Sequence, residues 1–496
     1  MERKFLLFLL FSIAFIFTLS ATNITVTNNL SSGAGSFTDA ISSAVDNDVI
    51  SFEFEGSNEI LLTGEITMKS ITINGTNTLN GSRVILKQTA AGKNIMIVNS
   101  GVNVSLSNLI FEGKDGAQKI AITAANGSTL NIDKCIFRNI NSGTDNGAAG
   151  RLQGVANITN TLFENNTCAG SYGGGALCIY NSADINMDKC TFVGNSSTGA
   201  ANRGGGAIVA RGTQSGPCNV KISNSTFLNN LSTNTGGAIL ASVQSSSNYT
   251  VNLIAVNCTF AGNQGNGAIS ALTTLKGTSN VYLVNSIVTN NVDANGTYSD
   301  LYAGLGTTAD PTASVLIEPH YVIYSVASES IVTTGGNCIQ VADPSTANIF
   351  KELETFATDK KRPVLSVLGD QTVAMISSTS IAKNAGIASL SGYNIPTVDQ
   401  LGEPRPTTPA VGAVEFKDLS TRVGSVNDDK IQLIVKGRDV IVSGIARPVN
   451  IEVYSLMGAY LKKEIVNNLG SISMQCFKDD MIILKIENKI FKVLLR

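Results

Sequence analysis

One short segment recurs along this chain and limits what it can fold into more than any other feature. Its copies read Leu106-Ser-Asn-Leu-Ile-Phe111, Ile132-Asp-Lys-Cys-Ile-Phe137, Ile158-Thr-Asn-Thr-Leu-Phe163, Met187-Asp-Lys-Cys-Thr-Phe192, Ile222-Ser-Asn-Ser-Thr-Phe227 and Val256-Asn-Cys-Thr-Phe260. Val284-Asn-Ser-Ile-Val288 follows with valine in the aromatic place. The phenylalanines are spaced 26, 26, 29, 35 and 33 residues apart. A second element interleaves with the first. Gly174-Gly175-Ala176, Gly205-Gly206-Ala207-Ile208 and Gly236-Gly237-Ala238-Ile239 recur every 31 residues, and Asn266-Gly267-Ala268-Ile269 comes 30 later.

Each period holds short alternating apolar runs, such as Leu130 and Ile132 followed by Cys135 and Phe137. Alternation with period two places those side chains on one face of a strand. A single rung cannot bury such a face, whereas stacked rungs can. The predicted fold is therefore all-β: a right-handed parallel β-helix, a solenoid in which each strand pairs with its copy one turn on. The phenylalanines are expected to stack inside. Asn108, Asn160, Asn224, Asn257 and Asn285 recur at the corner between two strands. Asparagine tolerates the left-handed backbone there, and its amides can bond along the axis. The glycine pairs mark sharp bends where a Cβ would clash or φ is positive. Cys135, Cys190 and Cys258 share one position with Thr161 and Ser225, which reads as small buried packing. Cys168 and Cys178 are the one local pair to test for a bridge, and no Cys/His grouping has zinc-ligand spacing. Leucine-rich and helical repeats fit poorly, because regularly spaced leucines and amphipathic helices are lacking.

Composition narrows the function. Charged residues make up 15% of the 496, below the roughly 25% of an average soluble chain. The formal net charge is −2, so no basic footprint for nucleic acid exists. Residues 1–20 read as a signal peptide: a basic start at Arg3 and Lys4, an apolar run from Phe5 to Leu19, then small residues. That run is short for a membrane span, so no transmembrane segment is expected in the mature chain.

At this point the residues carry family resemblances. The paired Gly-Gly-Ala-Ile and Phe-x-x-Asn elements, over roughly 100–292, resemble the repeats of chlamydial polymorphic outer-membrane proteins and related bacterial β-helix proteins. Gly33-Ala-Gly-Ser-Phe-Thr-Asp-Ala-Ile41 resembles their entry segment, which implies a first strand, a short helix over the open end and then a full rung. Ala382-Lys-Asn-Ala-Gly386, Asp399-Gln-Leu-Gly-Glu-Pro-Arg405 and Val411-Gly-Ala-Val-Glu415 resemble the closing segment of surface-anchored β-helix proteins, implying last rungs and a cap. From Ile451-Glu-Val-Tyr-Ser-Leu-Met-Gly458 to Phe491-Lys-Val-Leu-Leu-Arg496 the chain resembles the type IX secretion sorting domain of Bacteroidetes, a small β-sandwich. The expected organisation is a leader over 1–20, the β-helix with its cap and closing segment over 21–420, and a C-terminal sandwich over 425–496. It implies a secreted or outer-membrane, cell-surface protein that engages secretion machinery through its last domain.

No catalytic constellation stands out. Glycoside hydrolysis needs two carboxylates across the bond, and lyases need a base plus charge neutralisation. Asp133 and Asp188 share a turn position, but Thr159 occupies the rung between them and lysine follows each. His320 lies alone, outside the clear repeats, and reads as packing or loop. The offset of 31 residues places Tyr172 beside Arg203 and Tyr180 beside Arg211, an exposed tyrosine–arginine ladder able to stack on a sugar. These four are the candidate ligand-binding residues. No cofactor or metal is expected. The expected role is an adhesin or glycan-binding scaffold with glycans or host surface molecules as partners. A pectate-lyase-like polysaccharide lyase or glycoside hydrolase is the alternative.

Overall fold

The computed structural model describes residues 21–114, 119–200, 203–213, 216–328, 336–357, 359–368 and 371–416, and the strands of the C-terminal part. Residues 1–20, where a signal peptide is expected, and Ile431, Gly458, Cys476 and Asp480 lie outside the described residues. The chain divides into two compact units, Met1–Phe416 and Lys417–Arg496.

The first unit is a parallel β-helix. Two eleven-stranded sheets and one nine-stranded sheet run its length. Face A collects strands such as Thr129–Asp133, Val155–Thr159 and Asp184–Asp188. Face B carries the phenylalanine strands, such as Ile136–Arg138 and Leu162–Glu164. Face C carries strands such as Leu177–Tyr180, Ile208–Gly212 and Ile239–Val243. Every rung pairs in parallel with the next, so that Phe137 registers with Phe163 and Ile208 with Ile239. The 31-residue offset of the glycine motif is thus one turn of the helix.

Inside, Phe111, Phe137, Phe163, Phe192, Phe227 and Phe260 form a continuous stack. Successive ring centroids lie 4.6, 5.1, 4.5, 4.6 and 4.6 Å apart and no pair of planes is more than 12° from parallel. Each ring is buried. Cys135, Cys190 and Cys258 alternate with Thr161, Ser225 and Ser286 in one buried column, and burial pushes these three thiols up to about 12. Cys168 and Cys178 are free thiols; the Cys168 Sγ contacts the Gly174 carbonyl.

The corner asparagines adopt the left-handed backbone, with φ of 49° at Asn160 and 45° at Asn224. Their amides bond along the axis, Asn285 Nδ2 donating to Asn257 Oδ1 at 3.1 Å. A second corner, after the phenylalanines from Phe163 to Phe260, is more consequential. The left-handed residue there is Asn165, Gly194, Asn229 or Gly262, and the residue after it is a fully buried asparagine. Asn166, Asn195, Asn230, Asn263 and Asn291 form a ladder in which each Nδ2 donates to the next Oδ1 at 2.9 Å. Each Nδ2 also donates to a phenylalanine carbonyl one rung back, from Phe137 to Phe260. The buried carboxylate of Asp300 ends the ladder, accepting from Asn291 Nδ2 at 2.9 Å, from the Ser325 hydroxyl and from the Ser325 and Val326 amides.

The glycines of each pair serve different needs. Gly205 sits at φ +75°, where an L side chain is strained. Gly206 has ordinary φ, but a Cβ there would run into the Gly237 carbonyl of the next rung.

The entry segment is as expected. Strand Asn23–Val26 pairs with Val49–Phe52, and helix Phe37–Ser43, N-capped by Ser36, buries Phe37, Ala40 and Ile41 against the first rung. The closing segment differs from expectation. Residues 343–416 do not add rungs but pack back and forth over the outside of face B. Ile349, Phe350, Ala374, Ile376, Ala382, Ala410 and Val411 cover the outward Val193, Leu228, Ala261, Ile287 and Ile323. Gln400 bonds the Thr191 and Thr226 hydroxyls, and Ala413 N donates to Thr259 Oγ1 at 2.9 Å. The physical reason lies on face B itself, where these outward apolar side chains need a cover.

The second unit holds a three-stranded and a four-stranded antiparallel sheet. Val440, Val442 and Ile472 of one meet Ile451, Val453, Ile482, Leu484, Ile486 and Val493 of the other in one apolar core, a small β-sandwich. No helix among the described residues is long and apolar enough to cross a membrane.

Candidate functional site

Two regions of the β-helix gather chemistry. The first holds the four residues picked from the sequence. The glycine-rich loops that lead into face C fold over its outer surface. A Cβ on Gly147, Gly174 or Gly236 would touch Cys178, Val209 or Leu240, side chains that form an apolar layer outside the sheet. This is why strands Ile208–Gly212 and Ile239–Val243 are buried on both sides. Asn146 holds one such loop, its Oδ1 accepting from Tyr172 N at 2.7 Å and Gly173 N at 3.2 Å.

The loop bridge Gly173–Gly204 sets Tyr172 beside Arg203, whose guanidinium carbon lies 4.3 Å from the ring centroid. Tyr180 and Arg211 are register partners on adjacent strands. Arg211 nevertheless turns to Tyr172, 3.3 Å from its centroid, while Tyr180 takes Arg151 at 5.1 Å. Nor is the ladder wholly exposed, because Arg211 is only 8% exposed under the loop that carries Tyr172. Burial pulls the Arg211 guanidinium below its ordinary value. The charge of Arg211 and a hydrogen bond from Arg203 hold the Tyr172 phenol below its own. Arg151 joins the cluster as a residue that the offset of 31 does not reveal.

The second region is the outer side of face A. Its outward residues fall into columns about 4.8 Å per rung. One runs Ser105, Asn131, Asn157, Asn186, Lys221, Ile254, Tyr282 and Glu318. The next runs Ser107, Asp133, Thr159, Asp188, Ser223, Val256, Val284 and His320. Three concavities of about 290, 500 and 420 Å³ follow these columns; the first two share Asn157 and Thr159 and the last two share Ile254, Gly392 and Tyr393, so they join end to end in one furrow. Asn157 Nδ2 donates to Asn131 Oδ1 at 3.0 Å and Asn186 Nδ2 to Asn157 Oδ1 at 3.4 Å. Asp133 accepts from Thr159 Oγ1 at 2.7 Å and Asn160 Nδ2 at 2.8 Å; Asp188 accepts from Ser223 Oγ at 2.6 Å and Asn224 Nδ2 at 3.0 Å.

His320 is not an isolated loop residue. It ends strand Ser314–His320 in register with Val284, and its Nε2 lies 2.7 Å from Glu318 Oε1. The Tyr393 ring is 5.8 Å from His320 and 6.4 Å from Tyr282. Strand alternation would have placed Tyr282, Glu318 and His320 on the outer face. Tyr393 carries no repeat signal, since it comes from the closing segment. Among the described residues no three metal-ligating side chains converge. No family model matches the chain, and no curated protein is similar to it in sequence.

Proposed function

We propose that this protein is an exported, cell-surface or secreted glycan-binding scaffold of the adhesin kind, with face A as its binding surface. The observation that carries this is the furrow: side-chain amides and hydroxyls repeat at rung spacing along it, and Tyr282 and Tyr393 stand at one end. Amides bond sugar hydroxyls in pairs, aromatic faces stack on the apolar side of a pyranose, and a long shallow groove suits a chain rather than a small molecule. The interleaved repeats support a likeness to polymorphic-outer-membrane-protein-type surface proteins. The C-terminal sandwich supports passage through type IX secretion machinery. Glycan-array binding by the full chain tests the reading. Tyr393→Ala is expected to lower binding at least about tenfold, the scale of a lost sugar–aromatic contact with its bonds. An array without hits refutes it.

A specific observation favours a second reading, a glycoside hydrolase or polysaccharide lyase. The furrow contains the His320–Glu318 pair, and Asp133 and Asp188 stand two rungs apart, roughly 9–10 Å by rung spacing. That spacing of the strands is nearer the carboxyl separation of an inverting pair, about 6.5–9.5 Å, than the roughly 5 Å of a retaining one. Release of reducing or unsaturated sugar ends, abolished by Asp188→Asn or His320→Ala, is the deciding measurement.

A further inference from the structure

Arg211 presents an electrostatic conflict that packing does not resolve. It closes the outward row of face C in register with Ser242 and is 8% exposed. A guanidinium does not shed its proton to escape burial. Yet no carboxylate lies within 4.0 Å of Arg211, Arg203 or Arg151 among the described residues. Instead Arg203 shares the same tyrosine, so two like charges face one ring at 3.3 and 4.3 Å. Arg151, exposed, adds a third beside Tyr180 at 5.1 Å. An apolar side chain at 211 would pack the same layer of Cys178, Val209 and Leu240 without this repulsion. The conflict is relieved by an anion, and the planar fork of arginine matches a carboxylate or a sulfate ester in bidentate fashion.

The geometry points to Arg203 and Arg211, framed by Tyr172 and rimmed by Arg151, as a receptor for the acidic group of a saccharide: a uronic-acid carboxylate or a sulfate ester. The inference rests on the glycan-binding reading for the carrier of the anion, and it places a second contact away from the face A furrow. Isothermal titration of the full chain with an oligogalacturonate, a sulfated carrageenan oligosaccharide and a neutral cello-oligosaccharide of equal length tests it, alongside thermal melts in sodium sulfate. One acidic oligosaccharide is expected to bind about tenfold or more tighter than the neutral one, as a lost bidentate charged pair would imply. Which of the two binds distinguishes carboxylate from sulfate. The advantage disappears in Arg203→Ala, whose side chain is half-buried and leaves the layer beneath intact, and persists in Tyr393→Ala. Arg211→Met is expected to melt higher than the wild type in anion-free buffer and to lose the response to sulfate. Equal binding of acidic and neutral sugars overturns the inference while the glycan reading stands. Arginine-dependent sulfate binding without any saccharide binding keeps the receptor and overturns the glycan reading. A sulfate response unchanged in Arg203→Ala and Arg211→Met overturns the inference outright.

Discussion

Replacing Asn230 with alanine removes the middle of the buried amide ladder, and the structure sets the size of the loss. The Asn230 side chain accepts from Asn195 N at 3.0 Å and Asn195 Nδ2 at 2.9 Å, and donates to Phe192 O at 3.0 Å and Asn263 Oδ1 at 2.9 Å. Two of those partners keep other bonds: Asn195 Nδ2 still reaches Phe163 O, and Asn263 Oδ1 still receives Asn230 N. Phe192 O keeps its place in the parallel pairing with the next strand, but Asn195 N loses its partner inside a site that is fully buried. A buried group left unsatisfied costs about 1–3 kcal/mol, so the variant should lose at least about that much. The outward ladder is the control. Asn252 also bonds two neighbours, Asn219 and Asn280, at 3.0 Å each, but water can replace both, and Asn252→Ala should stay within about 0.5 kcal/mol. A stacked array can open locally, so the measure is amide hydrogen exchange across the rungs from 190 to 265, with the urea midpoint beside it. A loss below about 1 kcal/mol for Asn230→Ala, or equal losses in the two variants, would refute the claim that the buried ladder holds the rungs in register.

Three further outcomes follow from the same structure. Gly206→Ala should cost about 1–3 kcal/mol or more in the urea midpoint through overpacking against Gly237, whereas Gly81→Ala, with φ of 70° and open space around it, should cost only about 1–2 kcal/mol from conformation. Arg405, with a side chain 2% exposed, is paired to Glu415 Oε1 at 2.6 Å; Arg405→Met leaves that buried carboxylate without its cation, which should cost about 3–5 kcal/mol and speed proteolysis within residues 343–416. Burial pushes the Glu112 carboxyl up, but hydrogen bonds from Lys87 and Arg138 more than offset it and hold the group below its ordinary 4.5. A lowered carboxyl stabilises the fold above its unfolded pKa and loses that contribution as pH falls through the folded value. Melting curves of Glu112→Gln should therefore lie below the wild type at pH 7, by about 1 kcal/mol for a partly exposed pair, and converge with it below about pH 4.

The inside of the cylinder was legible because alternation, ring size and rung length must agree for every turn. Phe111 to Phe260 can stack only if each rung returns in register, and the spacing of the rings states that directly. Tyr172 beside Arg203 was legible for the same reason. Other contacts were not. Arg211 reaches Tyr172 rather than its register partner Tyr180, because the loop carrying Tyr172 folds over the sheet, and a loop path leaves no period in the sequence. The buried ladder was only half legible: the Phe-x-x-Asn spacing sets Asn166, Asn195, Asn230 and Asn263 three places after their rings, but the corner before each alternates between Asn165, Gly194, Asn229 and Gly262, and an asparagine at that corner masks which amide is the buried one. Tyr393 had no signal, because it comes from a segment outside the repeat.

What covers each face decides where function can sit, and one column of face B shows how the chain encodes it. The residue after inward Leu86 and after each inward ring reads Lys87, Glu112, Arg138 and Glu164 over the early rungs, then Val193, Leu228 and Ala261. The charged part closes on itself, Lys87 lying 2.8 Å from both Glu59 and Glu112. The apolar part is where residues 343–416 lie. Face C is covered in turn by its own glycine-rich loops. Face A keeps polar outward columns as far as Lys221 and Ser223, beyond which Ile254 and Val256 meet the turn around Tyr393. With two faces largely covered, face A is the long surface left for a partner, beside the smaller arginine cluster at the rim of face C. The amide and hydroxyl columns beside Asp133 and Asp188 are what that partner would meet.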